Sequence, residues 1–216
     1  MTDVGSAAQR HTIALPDGEM AMWLWPKPDA PQLLFVHANG FCASAYRQML
    51  EALSTRFEVV APDLRGHGRT SLPADPATHR NWWSYARDLN AFIDRMPRRP
   101  DLLAGHSMGA ATCLLASSRM ETPPPLALVE PVVMPDTLYL MARSPLHFML
   151  KGRIAIANGA RRRTNGWPDR AAARARYARH PVFSGWAAGV LDDYLIDGLT
   201  ETGEGEMKLS CDPLWE

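Results

Sequence analysis

Cysteine is scarce in this chain: Cys42, Cys113 and Cys211 are the only three in 216 residues. They stand far apart without a C-x-x-C pair, and an odd number leaves at least one unpaired, which argues against a disulfide scaffold. No group of His, Cys and carboxylate residues has metal-ligand spacing, so no metal site and no cofactor are expected. Net charge is also missing, with Lys+Arg and Asp+Glu both at 23. No overall field therefore draws nucleic acid or a membrane surface. Residues Met1 to Arg10 hold no apolar run, and no stretch approaches the roughly twenty apolar residues of a spanning helix. Without leader or anchor, and with reduced thiols, the expected location is the cytoplasm. Internal repeats and low-complexity segments are absent as well.

What is present suits a single globular domain with a substantial core, since 46% of residues are hydrophobic and 21% charged. His11–Leu15 and Met20–Trp25, parted by Pro16-Asp17-Gly18, read as a hairpin. Gln32-Leu33-Leu34-Phe35-Val36 is a short apolar run of the kind buried on both faces of a sheet. Ala43–Ser54 reads as a helix with Tyr46, Met49, Leu50 and Leu53 on its inner face. Phe57–Ala61 gives another strand, closed by Pro62. Asn81 can cap a helix from Trp82 to about Arg95, buried along Trp82, Tyr85, Leu89, Phe92 and Ile93. Leu126–Glu130 is a further strand after Pro123-Pro124-Pro125. Strand and helix alternate, which predicts an α/β fold: a mostly parallel sheet with flanking helices. After Pro131 the alternation stops, and helical composition runs on to a strand signal at Glu206–Cys211.

Leu102–Ala111 organises the chain, because it carries Gly105-His106-Ser107-Met108-Gly109, a G-x-S-x-G pattern between an apolar strand and a helix of small residues. A serine there sits on a strained turn that closes only if the positions two before and two after lack side chains. The following helix aims its N-terminus at the serine, so the Met108 N–H and the helix dipole can stabilise a developing oxyanion.

Three motifs each follow a predicted strand: His37-Ala38-Asn39-Gly40-Phe41, Pro62-Asp63-Leu64-Arg65-Gly66-His67-Gly68, and Gly105–Gly109. Together they resemble the α/β-hydrolase superfamily in its serine esterase and lipase-like branch, over roughly residues 10 to 135. The resemblance implies Ser107 as nucleophile and Met108 as one oxyanion donor. The second donor is Asn39, with Gly40 or Phe41 as alternatives, and His37 shapes its loop. It also implies core from residue 1 to 135 and a helical cap from 136 to 216, with the strands that normally deliver the acid and histidine missing after Glu216.

A serine hydroxyl needs a histidine to take its proton and a carboxylate to orient that histidine. In this fold the chain order is Ser, acid, His. Glu130 and Asp136, at or just past a predicted strand end, are the candidate acids, and His180 is the candidate base. His67, in its Gly-His-Gly setting, reads as structural, and the side chain of His106 should point away across the turn. Arg161-Arg162-Arg163, Arg170, Arg174, Arg176 and Arg179 make a basic stretch, which reads as a solvated helix face or as a means of steering an anionic substrate.

The expected chemistry is acyl transfer to water from a small, largely apolar ester or related carbonyl compound, without nucleic-acid or membrane partners. Self-association through an exposed sheet edge is expected of a sheet lacking its last strands. Two alternatives stay open: a hydrolase-like binding or vestigial protein without a competent base, and a cofactor-free peroxidase or C–C hydrolase on the same scaffold.

Overall fold

The computed structural model describes residues 7–79, 81–133, 140, 144 and 163–216. Six strands form one sheet in the order β1-β2-β4-β3-β5-β6. β1 (Gln9–Leu15) and β2 (Gly18–Trp25) pair antiparallel as the expected hairpin, and β2 runs antiparallel to β4 (Glu58–Pro62). β3 (Gln32–Val36), β4, β5 (Leu102–His106) and β6 (Leu126–Val129) are mutually parallel. Every residue of β3 is buried, as a continuous apolar run in a central strand demands.

Two apolar clusters cover the sheet. On one face Leu34, Val36, Leu103 and Met108 pack with Tyr85, Leu89 and Phe92 of α2 (Trp83–Ile93) and with Cys113 and Ala116 of α3 (Met108–Ser117). On the other, Trp25, Phe35, Val59 and Ala104 pack with Ala43 and Leu50. Asn81 does hold the start of α2, its side chain accepting the Trp83 N–H at 3.1 Å. The three cysteines are free and buried, and Cys113 packs as expected.

The segment after β3 departs from the expected single helix. A 3-10 turn over Ala43–Tyr46 precedes α1 (Arg47–Leu53), and Met49 is 43% exposed while Leu50 is fully buried. A 3-10 turn rotates about 20° more per residue than an α-helix, so the inner face is displaced from the spacing read off the sequence.

Beyond residue 163, α4 (Arg170–Ala178), α5 (Pro181–Ser184) and α6 (Val190–Gly198) lead into a small hairpin of β7 (Leu199–Glu201) and β8 (Met207–Leu209). The helical character matches expectation, whereas β7 was not foreseen. Tyr177, Phe183, Tyr194 and Leu195 bury against Cys42 and Ala45 of the post-β3 segment. Cys211 and Trp215 join the same cluster as α2 and α3, so the end of the chain is built into the sheet's own core. Among the described residues no helix is long and apolar enough to cross a membrane, and no group of acidic, His and Cys residues can hold a metal ion.

Candidate active site

The turn between β5 and α3 is built as its glycines require. Ser107 adopts φ 54° and ψ −117°, outside the comfortable range of a residue with a Cβ. A Cβ on Gly105 would come within 2.6 Å of the Gly109 backbone, and one on Gly109 within 2.2 Å of the Val36 carbonyl oxygen. The helix start is thus pressed against the end of β3. The Ser107 N–H donates to the Val129 carbonyl at 2.9 Å, tying the turn to β6 as well. Ser107 is half-buried at the carboxyl end of the parallel strands, where such sheets bind ligands.

Beside it lies the loop after β3, since Val36 and Gly105 are register partners. The Gly40 N–H donates to His67 Nε2 at 3.1 Å, and the Phe41 N–H to the Ala38 carbonyl at 3.2 Å. Both alternative donors are therefore engaged, Gly40 across to the loop after β4 and Phe41 within its own loop. The Asn39 N–H has no acceptor among the described residues, and the Met108 N–H, in the first turn of α3, has none within its helix.

The histidines around the turn are committed elsewhere. His37 is fully buried, accepts the Leu64 N–H at Nε2 and donates from Nδ1 to the Ala38 carbonyl, so it joins the β3 and β4 loops as a neutral ring. Burial lowers its pKa to about 4, the hydrogen bond to Ala38 opposing. His67 is likewise buried, with Nδ1 toward the Arg65 carbonyl and its pKa held well down by burial and by His37. Both structural readings match these placements. His106 does turn away from the nucleophile, its Nδ1 lying 2.8 Å from the Tyr46 hydroxyl, which in turn accepts the Ala38 N–H at 3.1 Å.

Of the acid candidates, Glu130 is exposed, has φ 45°, and comes within 3.9 Å of His106 Nε2, not of a base facing Ser107. Asp136 lies outside the described residues, as does His147. His180 is the N-cap of α5: its Nδ1 accepts the Val182 N–H at 3.3 Å, and its ring packs near Tyr177 and Phe183. Among the described residues no histidine hydrogen-bonds the Ser107 hydroxyl.

Sequence reading missed the group above the loop. Glu216 and Arg163 form an ion pair, and the same guanidinium donates to the Tyr177 and Tyr194 hydroxyls, each at 2.9 Å. Burial opposes the charge on Arg163, but the Tyr194, Glu216 and Tyr177 oxygens outweigh it and raise its pKa. Burial pushes the Glu216 carboxyl up, with Arg163 pulling the other way. The Asn39 side-chain amide donates to the Glu216 backbone carbonyl at 2.9 Å, and Trp215 Nε1 donates to the Arg65 carbonyl at 3.0 Å. No local sequence signal joins residues 177 positions apart.

A cleft of about 520 Å³ is a different feature. Arg10, Trp23, Asp63 and Arg69 line it, and Ser107 does not. Buried Asp197 accepts hydrogen bonds from Arg10, Arg69 and Trp23, closing α6 onto the β1–β2 hairpin.

A model of the Alpha/beta hydrolase family matches residues 33–203. Protein ABHD8 of Bos taurus is 34% identical over 82 residues, 38% of this chain and 19% of its own length. The 2-(acetamidomethylene)succinate hydrolase of Mesorhizobium japonicum is 30% identical over 102 residues, 47% of this chain and 36% of its own. The chain thus spans well under half the length of these relatives. Among solved structures, the thioesterase domain from the curacin biosynthetic pathway superposes with a TM-score of 0.73 over 97% of this chain and 74% of its own, at 22% identity. With the strand order and the turn at Ser107 already in place, the match places this chain in the alpha/beta hydrolase family.

Proposed function

We propose that Ser107 is the nucleophile of an acyl-transfer hydrolase and that the N–H groups of Asn39 and Met108 form its oxyanion hole. The observation that carries this reading is the strained Ser107 beside the loop after β3, where the Asn39 N–H has no acceptor among the described residues and the Met108 N–H has none within its helix. The serine oxygen attacks an ester-like carbonyl, whose oxygen gains negative charge and is held by the two amides. The alcohol leaves, and water later releases the acyl group. Phe41, Phe183 and Trp186 pack together next to the loop, which suits a small, largely apolar acyl group. Hydrolases among the relatives support hydrolysis as the reaction class.

The same geometry favours a second reading, a hydrolase-like binding protein, because the described residues give Ser107 no histidine. Oxyanion stabilisation and binding alone retain roughly 10³–10⁴-fold catalysis over water. The hydrolase reading therefore expects slow chemistry at the right atom. Treating the folded chain with a fluorophosphonate and mapping the adduct tests this: the adduct is expected on Ser107 and absent from Ser107→Ala. A cooperatively folded sample that stays unmodified would favour the binding protein.

A further inference from the structure

Arg163 and Glu216 lie against the loop after β3. A methyl group built on Gly40, the residue after Asn39, would be 2.8 Å from both the Arg163 guanidinium and the Glu216 carboxylate. The guanidinium is fixed on its far side by the Tyr177 and Tyr194 hydroxyls, and the Tyr194 hydroxyl also reaches the Gly40 carbonyl at 3.4 Å. Its side chain is 22% exposed and that of Glu216 only 7%. With one guanidinium nitrogen on the Glu216 carboxylate and the other on two tyrosine hydroxyls, Arg163 is a pre-oriented cation in a polar socket, a setting suited to holding a carboxylate. Glu216 itself is held through its backbone, by the Asn39 amide, and through its neighbour Trp215, whose ring packs tilted against that of His79 with centres 4.3 Å apart. Its side chain can swing aside by rotation about its own bonds while that anchorage stays intact.

We propose that Arg163 recognises a carboxylate carried by the substrate, and that the Glu216 side chain occupies the same place until such a substrate displaces it. This deepens, and rests on, the assignment of the site to Ser107. The substrate class becomes a small ester, apolar at its acyl or alcohol end and bearing one free carboxylate. Glu216 then acts as an internal competitor that disfavours esters lacking that charge.

Titration calorimetry with monomethyl glutarate, an ester with one free carboxylate, tests the proposal, using uncharged dimethyl glutarate as the control. Glu216→Ala should bind monomethyl glutarate at least tenfold more tightly than the parent chain, with dimethyl glutarate unchanged. Adding Arg163→Gln to Glu216→Ala should abolish the gain. If the double variant does not fold, the Gly40 amide resonance of Glu216→Ala should shift on adding monomethyl glutarate and not dimethyl glutarate. No gain in Glu216→Ala, a gain that survives loss of Arg163, or an unmoved Gly40 resonance would overturn the proposal. The calorimetric comparison turns on Arg163 and Glu216 alone, whereas failure of the proposed nucleophile appears as a missing fluorophosphonate adduct, so the two failures are distinct.

Discussion

Ser107 at φ 54° and ψ −117° holds a conformation that costs a residue with a Cβ about 1–3 kcal/mol. The surrounding backbone pays that cost to project the hydroxyl beyond the strand ends. Ser107→Gly should consequently raise stability by about 1 kcal/mol in urea unfolding while removing the proposed nucleophile. Gly109→Ala should do the reverse, costing about 2–4 kcal/mol, because its methyl group would stand 2.2 Å from the Val36 carbonyl oxygen. The pH response is also set by single residues. His37 titrates near 6.5 when unfolded and near 4 when folded, so its contribution is complete above pH 6.5 and is lost as pH falls toward 4. Asp63, whose carboxyl burial and Asp197 raise to about 7, acts in the opposite sense, its contribution falling as pH rises through 7. His37→Gln should flatten the loss of stability between about pH 6.5 and 4 by up to about 1.4 kcal/mol per pH unit, measured by chemical unfolding across that range.

Among the elements, those with dense periodic signals were legible. β3 carries four consecutive apolar residues, Leu33–Val36, with both faces covered, and the α2 stripe through Tyr85, Leu89 and Phe92 shows directly in its spacing. β7 was not legible, because Leu199-Thr200-Glu201 is three residues long and depends on pairing with Met207–Leu209. Met49 was misplaced because a 3-10 turn displaces the helical phase ahead of it. In the site, the G-x-S-x-G turn announces itself since its glycines answer a steric demand at fixed spacing. The Arg163–Glu216 pair does not, because charge pairing across 53 positions leaves no pattern in a basic stretch that reads equally well as a solvated face. The contact between α6 and the β1–β2 hairpin depends on Asp197, which is fully buried beneath Arg10, Arg69 and Trp23. Asp197→Ala should cost about 2–4 kcal/mol in urea unfolding, since it strips three donors of their shared acceptor.

At the scale of the whole molecule, β6 closes the described sheet on one side. Its Val129 is 53% exposed, and Val132 and Val133 just beyond are 47% and 68% exposed. An uncharged edge strand with β-branched residues in solvent is a template for pairing with another chain. We propose that it mediates self-association; Val129→Lys should reduce concentration-dependent assembly in sedimentation velocity without lowering the unfolding midpoint. The proposed acyl-enzyme forms at Ser107, with the amides of Asn39 and Met108 as its proposed oxyanion hole. Water attack on the acyl group also needs a base, so an acyl-enzyme formed without one should persist. The most direct measurement is intact-mass and peptide mapping after incubation with p-nitrophenyl acetate. A long-lived acetyl group is expected on Ser107 and absent from Ser107→Ala; a folded chain with no acetyl group at Ser107, or equal labelling of the two proteins, would rule out Ser107 as the nucleophile.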